Sequence, residues 1–279
     1  MEAYVMDAFS ARVFGGNQAG VALPERELPD ALMQQVAAEF KHSETAFVRV
    51  EEDGSVTLRY FTPAGEVELC GHATVASFAL LRQLGRIGDG DVTAHTKAGE
   101  LSVTVRGGTV WMDMAAPRLL RELGEDEWAA FYEAYGLTTA DRPEGLTPAI
   151  VSTGLADVML PVRDHDTLMR AVQNEAAVTA LSKKYDVTGV HMFCLGDGCT
   201  AYCSNYAPLY DIPEECATGT SNGALTYYLY LRDIVQPERE NVFLQGEHMN
   251  RPSEIRSRLY EQDGAVNVRV GGSAVMSMQ

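Results

Sequence analysis

Two stretches of this chain read as helices that are apolar on every side, in a sequence otherwise made of short strands. Residues 72–84 carry Val75, Phe78, Ala79 and Leu81, and residues 221–232 are rich in Leu and Tyr. A helix without a polar face has to be enclosed. Among many short strands, the simplest enclosure is a sheet wrapped around it. One such helix falls in each half of the chain, so the sequence predicts a long two-fold repeat without any short tandem unit. A cysteine introduces each helix. Leu69-Cys70-Gly71-His72-Ala73-Thr74 precedes the first, and Glu215-Cys216-Ala217-Thr218-Gly219-Thr220 precedes the second.

The remaining pattern is mostly extended. Residues 3–9 read as a strand, Phe14-Gly15-Gly16-Asn17 as a turn, and residues 21–23 as a second strand. A helix is expected over 30–40, capped by Asp30, with Leu32, Val36 and Phe40 sharing one face. Residues 45–50 and 55–61 are strands joined by a charged turn. Gly85 can end the first apolar helix, and strands follow at 92–95, 101–105 and 109–114. Beyond Ala116-Pro117 the chain turns to acidic helices, at 126–135 and once or twice within 168–184. Strands return at 149–152, 158–162, 190–194 and 200–206, and again at 242–244, 258–261 and 266–270.

Composition narrows the classes of function. At 279 residues with 46% hydrophobic and 22% charged, the chain can fill two lobes of ordinary size. Its formal charge of −17 disfavours nucleic acid and anionic membrane surfaces as partners. No apolar run reaches the ~18–20 residues that span a bilayer. The start, Met1-Glu2-Ala3-Tyr4, has no basic segment ahead of an apolar one, so no secretory leader is expected and the cytoplasm is the expected location. The five cysteines are accordingly read as reduced thiols. Cys194, Cys199 and Cys203 fit no standard zinc spacing and read as small buried hydrophobes, with His191 in a strand nearby. Asp197-Gly198 reads as a hairpin turn.

Cys70 and Cys216 are the chemical feature. Removing a proton from the α-carbon of an amino acid leaves a poorly stabilised carbanion, which an enzyme without pyridoxal or metal must stabilise electrostatically. The N–H groups at a helix start suit that task, because they bind the substrate carboxylate with help from the helix dipole. Gly71-His72 and Gly219-Thr220 supply them. A helix start is also expected to lower a thiol's pKa and so provide a thiolate base. Two thiols on opposite faces of a carbon let one abstract a proton while the other donates. A single cysteine in such a setting is more often a buried core residue; two in similar settings favour chemistry.

Several motifs add a family resemblance. Asp7-Ala8-Phe9 with Phe14-Gly15-Gly16-Asn17, then Ser43-Glu44-Thr45-Ala46-Phe47-Val48, lie in the first half. Phe61-Thr62-Pro63 leads into residues 66–74, and Ala207-Pro208 leads into residues 214–219. In this order the chain resembles the PhzF-like (phenazine biosynthesis) isomerases, whose fold is shared with diaminopimelate epimerase. The resemblance implies an α+β fold of two pseudo-symmetric lobes, each a β-barrel around a central α-helix, with the active site in the cleft between them. Residues 1–116 with 264–279 would form the lobe carrying Glu44 and Cys70, and residues 117–263 the lobe carrying Cys216. It also implies a homodimer, no cofactor and a small amino-acid-like substrate.

By the same resemblance, Glu44 matches the proton-shuttling acid/base. His72 and Glu215 would line the site, and Thr220 would contact the substrate. Ser43 and Asn17 belong to matching motifs and are candidate substrate contacts, Asn17 more simply as part of its turn. The chain departs from the pattern where Asp-Pro is replaced by Glu215-Cys216. It departs again where Ser204 stands for an arginine and Tyr206 for a phenylalanine. The second thiol falls where diaminopimelate epimerases and proline racemases carry theirs.

Three functions follow from these residues. The first is a racemase or epimerase with Cys70 and Cys216 as acid and base, Glu44 orienting the substrate, and the carboxylate on the helix starts at Gly71, His72, Gly219 and Thr220. The second is a PhzF-type proton shift run by Glu44 with the cysteines as bystanders. The third is a binding protein that kept the fold without activity.

Overall fold

The computed structural model describes residues 1–279. Strands dominate it, in a mixed α/β fold built on an extensive sheet. The chain divides into two compact units, Met1–Asp113 with Gly271–Gln279, and Met114–Val270.

The first unit begins with β1 (Glu2–Ala8), β2 (Asn17–Leu23), α1 (Asp30–Phe40), β3 (Thr45–Val50), β4 (Val56–Phe61) and β5 (Glu66–Val67). Helix α2 (Gly71–Gln83) follows, then β6 (Gly90–Thr96), β7 (Gly99–Arg106) and β8 (Thr109–Asp113). The final strand of the chain, Ala274–Met278, returns to pair antiparallel with β1. Strands β1 and β2 are antiparallel, β2 and β3 parallel, and β3 and β4 antiparallel. β4 then pairs with β5 antiparallel and with β6 parallel, and β6 pairs antiparallel with β7.

The second unit holds β9 (Arg118–Glu122), α3 (Glu125–Glu133), β10 (Ala149–Ser152), β11 (Ala156–Pro161), α4 (His165–Met169) and α5 (Glu175–Tyr185). After these come β12 (Gly189–Leu195), β13 (Ala201–Ala207), β14 (Ile212–Glu215), α6 (Gly219–Tyr230), β15 (Glu240–Gln245), β16 (Ser253–Gln262) and β17 (Ala265–Gly272), ahead of β18 (Ala274–Met278), the strand that returns to β1. Its pairings repeat the first unit step for step. β10–β11 is antiparallel, β11–β12 parallel, β12–β13 antiparallel, β13–β14 antiparallel, β13–β15 parallel and β15–β16 antiparallel. Helix α6 therefore holds the same place in its unit as α2 in the other.

Both helices are buried around their circumference. In α2 the residues from His72 to Phe78 are buried together with Leu80 and Leu81, and α2 packs on β1, β2, β3, β8 and β18. In α6 residues 221–226, Tyr228 and Leu229 are buried against β9, β10, β11 and β16. Three of the buried hydroxyls bond back along their own chain segment. Thr74 and Ser77 hydroxyls donate to the carbonyls of Cys70 and Ala73 at 2.7 and 2.6 Å, and Thr226 donates to Asn222 at 2.7 Å. Each is thereby satisfied without water, which removes the cost of burying it. Full burial of Phe78 or Leu80 contributes about 1.5–3 kcal/mol each by transfer from water.

Three expectations need correction. Helix α1 has the expected limits, but Pro29 is its N-cap and Asp30 is its first helical residue. The Asp30 carboxylate instead pairs with Arg59 at 2.6 Å. The buried face of α1 is Met33 and Ala37, which pack with Ala22, Phe47 and Phe61, while Leu32 is exposed. Of the expected stripe, half-buried Val36 packs on that cluster and Leu32 does not. Strand β9 was not anticipated, because Arg-Leu-Leu-Arg-Glu is exposed along its whole length and carries no alternation. No helix is long and apolar enough to cross a membrane.

Candidate active site

In the first unit, residues far apart in sequence are drawn together at the start of α2. Cys70 is the N-cap, extended at φ −143° and ψ 114°, and Gly71 is the first helical residue. Glu44 lies just ahead of β3, where its carbonyl accepts from the Gly20 N–H at 3.0 Å beside the parallel β2–β3 pair. This brings its carboxylate to His72, with Oε2 3.2 Å from Nε2. The direction of approach leaves that buried oxygen without a hydrogen bond. Cys70 Sγ is 3.5 Å from Nδ1 and 3.8 Å from Nε2 of the same ring, and Ser43 Oγ lies 3.5 Å from Nε2. His72 and Cys70 are both buried, and Ser43 is exposed.

The three groups set one another's charge. Burial pushes Glu44 up, but His72 and Ser43 outweigh it and hold the carboxyl below its ordinary value. Burial likewise opposes charge on His72. The neighbouring Cys70 and Glu44 reverse that and raise the ring well above its ordinary value. Cys70 goes the other way from the expectation for a helix start. Burial, joined by the Glu44 charge, raises the thiol despite the help of His72 and the Ala73 amide. The resting group is thus a carboxylate, an imidazolium and a neutral thiol.

Asn17 heads β2 and is buried. The turn before it is held by Phe14, whose N–H donates to the buried Asp7 carboxylate at 2.7 Å. Gly16 has φ +63°, and a Cβ there would stand 2.1 Å from the Ala8 carbonyl oxygen, so the turn requires glycine.

The second unit builds a related corner at the start of α6. Strand β14 ends in Glu215, Cys216 and Ala217 are buried, Thr218 is the N-cap and Gly219 is the first helical residue. The Thr218 hydroxyl donates to Glu215 Oε2 at 3.3 Å, and the Thr220 carbonyl accepts from Thr153 Oγ1 at 2.8 Å. Both helices open on glycine, and neither N-cap side chain makes a geometric capping hydrogen bond. Both starts therefore keep N–H groups that a carboxylate can take. The thiols are not equivalent, however. Cys70 directly precedes its helix, whereas Cys216 is three residues ahead of Gly219.

Glu44, Cys70 and His72 bring one donor atom each to within 4.8 Å of one another, an O, S and N set of the type zinc accepts. The sulfur lies 3.5 Å from Nδ1 and 3.8 Å from Nε2, and the carboxylate faces Nε2, so the three groups form one mutually close cluster. The remaining cysteines, Cys194, Cys199 and Cys203, are free thiols with Cys194 and Cys203 buried, and burial raises all three.

The phenazine biosynthesis-like protein family, PhzC-PhzF, matches residues 6–279 of this chain. The chain belongs to that family. Among its relatives is the uncharacterized isomerase YddE of Escherichia coli K12, 31% identical over 274 residues, covering 96% of this chain and 90% of the relative. The crystal structure of the Bacillus anthracis PhzF-family phenazine biosynthesis protein superposes with a TM-score of 0.88 at 26% identity, over 99% of this chain and 97% of that one. A hydroxyproline epimerase from Agrobacterium vitis shares the fold, with a TM-score of 0.62 at 13% identity over 98% and 88% of the two chains. The protein is an isomerase of the PhzC-PhzF family.

Sequence reasoning passed over the residues that hold the second corner, namely Asn222, Gln245, His248 and Glu214. Gln245 and His248 lie beyond α6 and come to the corner only through the β13–β15 pairing, which no local pattern announces.

Proposed function

We propose that this isomerase inverts the α-carbon of an amino acid or related α-substituted acid, with Cys70 and Cys216 as the two acid/base groups. The carrying observation is the pair of enclosed helices whose starts open on Gly71 and Gly219 without a side-chain cap, each with a buried cysteine just upstream. Their N–H groups, at Gly71-His72 and Gly219-Thr220, hold the substrate carboxylate and stabilise the charge that develops beside it. In each unit the sheet would close as a barrel about its helix and fix that start rigidly.

In one direction of this reaction the Cys70 thiol, whose pKa burial raises, donates its proton to the carbanion, while Cys216 serves as the base that takes the α-proton from the opposite face. The Cys70 thiolate left behind is stabilised by the His72 imidazolium, which Glu44 holds in its charged form. After the reaction the two thiols have exchanged states, which prepares the enzyme for the substrate of opposite hand. Glu44 and Ser43 orient the substrate's polar groups. Glu215, Thr220 and Asn17 complete its contacts.

One observation favours a second reading. The Glu44 carboxylate is ionised and its buried Oε2 makes no hydrogen bond, so it can serve as a base in a PhzF-type proton shift. The two readings separate in D₂O. A panel of amino acids incubated with the reduced enzyme and read by mass spectrometry should show deuterium at the α-position of the true substrate. Exchange confined to unsaturated cyclic substrates, with no α-exchange in saturated ones, would reject the two-thiol reading.

A further inference from the structure

We propose that residues 245–248 position Cys216, with Gln245 fixing the peptide ahead of the thiol and His248 clasping the strand that leads to it. Gln245 is completely buried at the end of β15. Its Nε2 donates to the Glu215 carbonyl at 2.6 Å and to Thr218 Oγ1 at 3.2 Å. Its Oε1 accepts from Asn222 Nδ2 at 2.8 Å, and the same nitrogen donates to the Thr218 carbonyl at 2.9 Å. Two interlocked amides thus hold residues 215–218 at both ends.

The lock is anchored deeper in the unit. Asn222 spends its nitrogen on Gln245 and Thr218, so its Oδ1 accepts, 3.3 Å from His191 Nε2. His191 must then carry its hydrogen on Nε2 and present Nδ1 as an acceptor to Asn205 Nδ2 at 3.2 Å. Burial drives the His191 pKa down to about 4, so this single tautomer persists through the neutral range. Asn205 also donates to Ser221 Oγ at 3.1 Å, and Ser221 donates to Asp157 at 2.5 Å.

The backbone after Gln245 touches the thiol residue itself. Gly246 has φ +87°, and a Cβ there would stand 2.7 Å from the Cys216 carbonyl oxygen and 3.1 Å from Cys216 Cβ. Two residues on, His248 Nε2 is 3.1 Å from the Met169 carbonyl of α4, an acceptor only, and so carries hydrogen. Nδ1 has a choice of partners, namely Glu214 Oε1 at 3.3 Å on β14, and Ser204 Oγ at 3.3 Å and Tyr206 OH at 3.5 Å on β13. When protonated it donates to Glu214 and ties the segment to the strand running into Cys216. When neutral it accepts from the hydroxyls of β13 and releases that strand. Glu214 faces the ring from β14, and Glu247 flanks it on its own segment while bonding His165 of α4 at 2.7 Å. The Glu214 hydrogen bond, working against burial, raises the His248 pKa, so the clasped form extends towards neutral pH.

The functional meaning of this device rests on Cys216 being a working thiol, but its test needs no substrate. Hydrogen exchange is followed in the full-length protein on peptides spanning residues 212–224, at about pH 6 and about pH 9, as protection factors corrected for intrinsic rates. In the wild type, protection there should fall by about fivefold or more as His248 loses its proton, with the Tm monitored to exclude global unfolding. Glu214→Gln should remove that pH dependence, giving the weaker protection at both values. Gln245→Glu should weaken protection of the same peptide at either pH. If it fails to fold, the Glu214→Gln comparison decides. Wild-type protection that is flat with pH, or a Glu214→Gln profile matching wild type, overturns the proposal. Absence of α-proton exchange activity would leave these readouts untouched.

Discussion

His72 Nε2 stands 3.2 Å from Glu44 Oε2, and the two carry opposite charges in a largely buried setting 28 residues apart in sequence. Neither residue alone explains its own state, since burial disfavours charge on both. Their mutual attraction, with Cys70 adding to it on the His72 side, keeps the ring charged, while burial and the Glu44 charge raise the thiol against the pull of His72.

Stability should therefore depend on pH in a defined sense. Glu44 has a folded pKa below its unfolded value near 4.5, so its contribution is complete above that value and is lost as pH falls through the folded one. His72 has a folded pKa above its unfolded value near 6.5, so its contribution is complete below that value and is lost as pH rises through the folded one. Thermal unfolding of wild type and His72→Gln should differ most between these limits, by about 3 kcal/mol for a broken buried pair. The difference should shrink towards the alkaline side. A gap that grows from pH 7 to pH 10 would contradict the charge assignment.

Glu44→Gln should lower the His72 pKa, because burial then acts on the ring with less opposition. Proton NMR of the ring would report it as a downfield shift lost at lower pH than in wild type. Turnover should drop about tenfold to a hundredfold while α-exchange remains measurable, since Glu44 supports the thiol in this mechanism. Complete loss of exchange in this variant would move the proton-transfer role to Glu44.

The raised Cys70 pKa carries a chemical consequence. Iodoacetamide labelling of Cys70, mapped by peptide mass, should follow an inflection above the free-thiol value of about 8.5. At neutral pH it should run slower than free cysteine. An inflection below that value would show a resting thiolate and reverse the assigned direction of the first proton transfer. Labelling no faster than free cysteine also fits a binding protein on the same fold, so the exchange and variant assays decide between the two.

The enclosed helices were legible because apolarity on all sides leaves a helix one kind of environment, and Gly71 and Gly219 do open them. The limits of α1 were legible from its flanking residues, while its buried face depended on which side Phe47 and Phe61 occupy. Strand β9 lacked alternation and was missed for that reason. In the candidate site, the motifs singled out Glu44, Cys70 and His72, which folding gathers at the start of α2, but not the direction of the Cys70 shift. A helix start alone argues for a lowered thiol, and the outcome was decided by burial and by Glu44, which only folding brings to it. Gln245 and His248 escaped notice because their partners lie as much as 79 residues away in sequence.

If both thiols move protons, paired serine variants in D₂O will show it. Once the exchange panel has named the substrate, Cys70→Ser and Cys216→Ser are each assayed for racemisation and for α-deuterium incorporation starting from either enantiomer. Each variant should lose racemisation by at least about a hundredfold. Wild-type racemisation retained in both variants would contradict the two-thiol mechanism.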